Sequence, residues 1–205
     1  CSRLNIPVAG IIDDDYYGNT EEYEGIPFID SELTADFEKL KLEYDFFIGV
    51  HPVPDFPRNI EKRFKFINIV DKYNLSCPNL IDPQSRINHR AILGKGIFVN
   101  FLGIIGPYVT VGDHCQINVM SGVGHHSELG KNVIVQRKAT ILSSIKIGEN
   151  SFICNEAKLL KPELQIGKNS YIHPGVIVMR NVEDNEVVSL TGRNTRRIYN
   201  TIIFD

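Results

Sequence analysis

The chain has 205 residues, a formal net charge of −3 and a 42% share of hydrophobic residues, which suits one or two ordinary folded domains and gives nucleic acid no basic footprint. No run approaches the roughly 18 apolar residues of a membrane span, and no basic segment followed by an apolar core opens the chain, so no membrane partner and a cytoplasmic location are expected. Cys1, Cys77, Cys115 and Cys154 show no metal-ligand spacing, which predicts reduced thiols and no bound metal.

In chain order, the apolar run from Ile6 to Ile12 ends at Asp13, Asp14 and Asp15 and reads as a buried strand carrying carboxylates at its C-terminal end. Ser31 is a candidate cap for a helix with Leu33, Phe37 and Leu40 on one face. Phe46 to Val50 reads as a second strand, Arg58 to Phe64 as a helix with Ile60 and Phe64 on one side, and Phe66 to Val70 as a third strand. Strands alternating with helices imply a small parallel sheet. Ligands of such sheets sit beyond the carboxyl ends of strands, where an acid can bond a ribose or base. Asp13 and Asp14 are therefore candidate nucleotide contacts, with a plain solvated turn as the alternative.

From Ile81 the pattern changes. Every sixth residue through Leu159 is Ile, Leu or Val, fourteen in succession, and after one extra residue the beat resumes at Ile166, Ile172 and Val178. This is a hexapeptide repeat. Glycine follows the aliphatic at Gly94, Gly112, Gly130, Gly148 and Gly167, at spacings of 18, 18, 18 and 19, so three hexapeptides make one coil. Three bends per coil close a triangular prism whose coils stack at about 4.8 Å. The residue two before the aliphatic is small or β-branched at most coils, as in Ala91, Val109, Cys115, Ser127 and Ala157, which predicts that both positions point inward. The residue just after it is Gly or Asn at Asn88, Gly94, Asn100, Gly106, Gly112, Asn118, Gly124 and Gly130, which predicts bends of positive φ there. Spacing alone favours the right-handed winding of parallel crossovers.

Histidine is the usual general base at neutral pH, and the chain has His51, His89, His114, His125, His126 and His173. With Val123 and Leu129 inward, His125 falls at a corner with its ring outward, where a substrate can reach it. Gly122 and Gly124 leave the neighbouring backbone open to close approach, or serve turn geometry alone.

The eighteen-residue beat resembles the left-handed parallel β-helix of hexapeptide acyltransferases. The stretch Val8-Ala9-Gly10-Ile11-Ile12-Asp13-Asp14-Asp15, with Gly25-Ile26-Pro27 after it, resembles the second strand and acidic turn of sugar acetyltransferases of the NeuD and PglD type. That resemblance implies an α/β Rossmann-like nucleotide-sugar domain at 1–76, incomplete because the first strand and its glycine-rich turn are missing. A β-helix at 77–182 follows, and then a tail at 183–205 that leaves the repeat and packs back through Ile198, Ile202 and Ile203. Opening at Cys1 suggests a fragment of a longer polypeptide.

The resemblance also implies roles. Asp13 and Asp14 match the acidic pair that contacts the nucleotide. His125 matches the catalytic histidine, four residues before the aliphatic of an Ile/Leu-Gly pair. The family has Glu or Asp next, where this chain has His126, so the orienting part passes to His126, to a backbone carbonyl or to Glu128. Acetyl-CoA would lie between neighbouring β-helices along the later coils, near Ser143, Ser144 and Cys154-Asn155-Glu156. Lys158, Lys161, Lys168, Arg180, Arg193, Arg196 and Arg197 are candidates for its phosphates, with Ser143 and Lys161 taken as the coenzyme contacts. A homotrimer with active sites at the subunit seams completes the expectation.

The implied activity is acetyl-CoA-dependent N-acetylation of a nucleotide-linked amino sugar of the 4-amino-4,6-dideoxyhexose type, in surface-glycan precursor synthesis. O-acetylation of a sialic acid or similar sugar shares every motif, and a noncatalytic β-helix scaffold is the reading from a different class. Carbon dioxide hydration by a γ-type carbonic anhydrase would use His89 and His125, 36 residues and therefore two coils apart, but needs a third histidine where the chain has Gly130.

Overall fold

The computed structural model describes residues 5–50 and 57–190. The chain divides into two compact units, Cys1–Cys77 and Pro78–Asp205. The expectations placed on Cys1, His51, Arg193, Arg196, Arg197, Ile198, Ile202 and Ile203 lie outside the described residues. Among the described residues no helix is long and apolar enough to cross a membrane.

The first unit holds a three-stranded sheet in the order β1-β3-β2, formed by β1 (Ile11–Ile12), β2 (Glu22–Tyr23) and β3 (Ile26–Asp30). β1 runs parallel to β3, and β2 antiparallel to it. The strand expected from Ile6 is thus confined to its last two residues. Pairing begins at Ile11 opposite Phe28, and Ile6 and Val8 are 42% and 38% exposed, so the start of the run meets no strand partner and stays wet.

Helix α1 is short, Phe37–Leu40, and its cap is Asp36, whose Oδ1 accepts from the Lys39 N–H at 3.1 Å. Ser31, expected as the cap, instead closes a turn with the N–H groups of Leu33, Thr34 and Ala35. Leu33 is 73% exposed and does not share the buried face of Phe37.

Helix α2 spans Pro57–Tyr73 and absorbs Phe66–Val70, which the apolar run suggested as a strand. Arg63, Ile67 and Val70 are buried, a spacing of four and three that belongs to one helical face. A short continuous apolar run is ambiguous between strand and buried helix, and length decided for the helix. Phe46–Val50 joins no strand ladder among the described residues. Its Ile48 is buried with Phe37, Ile67, Val70, Leu75 and Cys77, and Arg63 Nη1 donates to the Val50 carbonyl at 2.9 Å and the Ile48 carbonyl at 3.4 Å.

The second unit is a parallel β-solenoid of 18-residue coils with three faces. The tallest face stacks seven two-residue strands, from Leu80–Ile81 through Phe98–Val99, Gln116–Ile117, Ile134–Val135, Phe152–Ile153 and Tyr171–Ile172 to Val187–Val188. The second stacks six, from Arg86–Ile87 to Ile177–Val178, and the third five, from Ile92–Leu93 to Gln165–Ile166. Every aliphatic of the beat from Val99 to Val178 points inward and is at most 3% exposed. The residues two before them, Val109, Cys115, Ser121, Ser127, Val133, Ala139, Ser151 and Ala157, are at most 1% exposed. Repeated burial of this kind dominates the stability of a solenoid.

The extra residue before Ile166 lengthens one corner, so Ile147 pairs with Ile166 nineteen positions on. The repeat also outlasts its expected end at 182. Val182 bridges Ile166, and Val187–Val188 pairs with Tyr171–Ile172, because a corner shortened between Val178 and Val182 restores the stacking.

Positive φ falls elsewhere than expected. It belongs to the residue three past the aliphatic, at Leu102, Tyr108, His114, Met120, His126, Asn132, Lys138, Ser144, Asn150 and Asn169 among others. The glycines just after the aliphatic answer to a different demand, namely close stacking. A Cβ on Gly112 would stand 2.7 Å from the Gly130 carbonyl carbon, and one on Gly130 2.7 Å from the Glu149 nitrogen.

At one corner the left-handed position carries a ladder of amides. Asn132 donates to Asn150 at 3.1 Å, Asn150 to Asn169 at 3.3 Å, and Asn169 to Asn185 at 3.1 Å. Asn150→Gly keeps a residue at ease with positive φ while deleting two of these bonds. A loss of about 2 kcal/mol is expected, read as a lower midpoint in thermal unfolding.

Candidate active site

His125 and His126 occupy the corner between the second and third faces, where the chain leaves Gly122–Val123 and re-enters at Glu128–Leu129. Val123 and Leu129 are buried, and both histidines are exposed. His126 takes the left-handed conformation, φ 60°, which turns the two side chains toward each other. Their Nδ1 atoms lie 2.9 Å apart with the rings at 89°. At that spacing one Nδ1 donates and the other accepts. When His125 is the donor, its Nε2 carries the lone pair on the far side of the ring, the form a general base requires.

The backbone on either side is held by the adjacent coils. His126 N–H donates to the Pro107 carbonyl at 3.1 Å, and Ser144 N–H to the His125 carbonyl at 2.9 Å. Gly124 has no room for a side chain, since a Cβ would stand 2.8 Å from the Leu142 carbonyl carbon and the Ser143 nitrogen. Gly122 has nothing within 4 Å of such a Cβ, so it leaves an open surface beside the histidines.

Ser143 and Lys161 are, like His125, two past the aliphatics of the second face, which pair in register from Val123 to Ile141 to Leu159. They therefore follow His125 on the same edge at one and two coils, roughly 5 and 10 Å along the axis. Ser143 is half-buried and Lys161 exposed. Glu128 lies on the third face, where its Oε1 is 3.0 Å from Lys146 Nζ on the next coil; that ion pair engages the carboxylate expected to support His125. Of the other expected phosphate contacts, Lys158 is exposed, Lys168 pairs with Glu149 at 2.9 Å, and Arg180 pairs with Glu186 at 2.6 Å. Cys154 is buried, with Asn155 and Glu156 exposed beside it.

Two residues at this corner escaped the sequence reading. Tyr108 stacks on His126 with ring centroids 4.8 Å apart and planes 23° apart. Arg90 lays its guanidinium 5.2 Å from the Tyr108 ring centre and also donates to the Tyr108 hydroxyl. The eighteen-residue period contains the signal, because Arg90, Tyr108 and His126 are three past Ile87, Ile105 and Val123, which pair in register.

In the first unit, Asp13, Asp14 and Asp15 bring carboxylate oxygens within 4.8 Å of one another. Lys62 occupies the place a cation would take, its Nζ 2.5 Å from Asp13, 3.5 Å from Asp14 and 2.8 Å from Asp15. Lys65 adds contacts to Asp14 at 3.3 Å and Glu32 at 3.1 Å. Side-chain hydrogen bonding with Glu32 and then Lys65, together with the charges of Lys65 and Lys62, holds the Asp14 carboxyl at about 2, below its ordinary 3.8, against the opposing effect of burial. A lowered carboxyl contributes stability above its unfolded value and loses it on acidification. The stability difference between the wild type and Asp14→Asn is therefore expected to shrink as the pH falls from about 4 to about 2, measured by amide exchange in the first unit.

No family model matches the chain. Solved structures do. A variant of perosamine N-acetyltransferase from Caulobacter crescentus, in complex with CoA and GDP-perosamine, superposes with a TM-score of 0.76 at 21% identity over 91% of this chain and 83% of that one. The chain has the fold of that protein. The acetyltransferase domain of PglB from Neisseria gonorrhoeae, in complex with acetyl coenzyme A, gives 0.75 at 20% identity over 87% and 82%. WeeI from Acinetobacter baumannii gives 0.71 at 18% identity over 93% and 87%.

Proposed function

We propose that the chain is an acetyl-CoA-dependent N-acetyltransferase acting on the amine of a nucleotide-linked 4-amino-4,6-dideoxyhexose, in the synthesis of a surface-glycan precursor. The observation that carries this reading is the exposed His125 at a coil corner, with Nδ1 engaged by His126. Similarity in fold to proteins solved with CoA, acetyl coenzyme A and GDP-perosamine supports the substrate classes.

In the proposed reaction the sugar amine attacks the thioester carbonyl of acetyl-CoA and His125 Nε2 takes the amine's proton. The tetrahedral oxyanion then collapses, the carbon–sulfur bond breaks, and the thiolate leaves with a proton returned to sulfur. The pantetheine arm of the coenzyme runs along the corner past Ser143 toward Lys161, where the ammonium meets a phosphate. Asp13 and Asp14 are the nucleotide contacts of the first unit, sharing their carboxylates with Lys62 and Lys65. The first unit serves as a Rossmann-like domain and the solenoid winds left-handed. Three copies assemble around a threefold axis with His125 at the seams, in the cytoplasm.

The deciding experiment follows thiol release from acetyl-CoA with a panel of nucleotide-linked 4-amino-6-deoxy sugars alongside sialic acid. Release with an amino sugar is the expected result. Release with sialic acid alone would replace the reading by O-acetylation, and silence across the panel, with no coenzyme binding by calorimetry, would leave a scaffold.

A further inference from the structure

We infer that Tyr108, braced by Arg90, is a positioning residue that fixes the His126 ring and through it the tautomer of His125; the inference rests on the reading of His125 as the base. Both histidines are exposed, so water competes for their nitrogens and nothing in a solvated imidazole pair preserves one orientation. An N–H···N bond fails when either ring turns by a few tens of degrees.

The contacts around His126 remove that freedom. Its backbone is held in the left-handed region at φ 60°, and its ring lies near-parallel on Tyr108 at 4.8 Å. The edge left over meets His125, whose ring stands at 89° to it. Tyr108 is in turn clamped from the preceding coil, since the Arg90 guanidinium lies over its ring and donates to its hydroxyl. An arginine on an aromatic face is a favourable contact even at the surface. The result is a column over three coils in which each ring limits the next. It ends at the Nδ1–Nδ1 contact; with His125 as the base the shared proton sits on His125 Nδ1, which leaves its Nε2 able to accept a proton.

Tyr108 also sits at a left-handed position, φ 58°, which glycine adopts without strain; Gly96 and Gly175 hold the same position in other coils. Tyr108→Gly therefore removes the stack without endangering the fold, and Tyr108→Phe restores the ring without the hydroxyl. Nitrogen-15 spectra of selectively labelled histidine in the full chain report the tautomer directly, with no need for substrate. The wild type is expected to show His125 protonated mainly at Nδ1, Tyr108→Gly a mixture of the two tautomers, and Tyr108→Phe the wild-type pattern. In the acetyl-transfer assay, Tyr108→Gly should lower kcat by at least about 10-fold with the KM for acetyl-CoA unchanged, and Tyr108→Phe should recover most of it.

A wild-type His125 with no tautomer preference overturns the inference. So does an unchanged tautomer in Tyr108→Gly, even with a lower kcat, because Tyr108 would then serve the fold alone. A tautomer that responds to Tyr108 in a protein that transfers no acetyl group would count against His125 as base and leave the positioning role standing.

Discussion

Replacing His125 by alanine is expected to lower kcat for acetyl transfer to the preferred amino sugar by about 10²–10⁴-fold, with the unfolding midpoint unchanged. The magnitude follows from the role: a positioned base removes the amine's proton as the carbon–nitrogen bond forms, and water at the same place is a far weaker base. The neutral effect on stability follows from the environment. His125 is exposed at a corner, and its backbone carbonyl bond to Ser144 N–H survives truncation of the side chain. Thiol release and a thermal melt on the same preparation check both halves. A midpoint shift matching the loss of rate would mean that the ring supports the corner and does no chemistry.

Gly148→Ala is expected to be among the most damaging single methyls in the solenoid. The added Cβ would stand 2.5 Å from the Lys168 nitrogen, 2.7 Å from the Gly167 carbonyl carbon and 2.8 Å from the Lys168 Cα. All three are backbone atoms of the next coil, and none can swing away as a side chain would. Relief requires the coils to separate, against a ladder in which Gly148 N–H donates to the Ile166 carbonyl at 2.8 Å. Overpacking of this kind costs about 3 kcal/mol or more, a midpoint lower by roughly 10 °C for a unit of this size. Gly122→Ala is the matched control. Nothing lies within 4 Å of its added Cβ, so its effect should stay within about 0.5 kcal/mol. Calorimetry of the two variants side by side separates crowding between coils from any general intolerance of alanine at glycine positions.

These two variants mark how the sequence was legible and where it misled. Glycine just after many of the aliphatics is plain in the sequence and suggests positive φ there. That conformation belongs two residues further on, to Tyr108, His126 and Asn150 among others, and only Gly96 and Gly175 of the described coils put glycine there. Residue preference for a turn is a weak signal when stacked coils force the backbone regardless of side chain. The glycine requirement came from the neighbouring coil's backbone, which a single stretch of sequence does not display.

In the first unit the difficulty was length. Phe66–Val70 has the composition of a buried strand, and its helical face became evident only with Arg63 included. Arg63 was an implausible core residue until the carbonyls of Ile48 and Val50 were seen to receive its guanidinium.

The solenoid was readable from residue spacing alone, because each coil repeats one solution to one packing problem and the inward aliphatics announce it every sixth residue. The exposed corner of His125 followed from that same register. The same register sets Arg90, Tyr108 and His126 at one position of successive coils, but the contacts they make there are decided by stacking and side-chain conformation. Glu128, near His125 in sequence, is drawn by Lys146 on the next coil, while Tyr108 stacks on His126 from the coil before. Local periodicity sets which way each side chain points; the partner it meets there comes from another coil, and only stacking brings the two together.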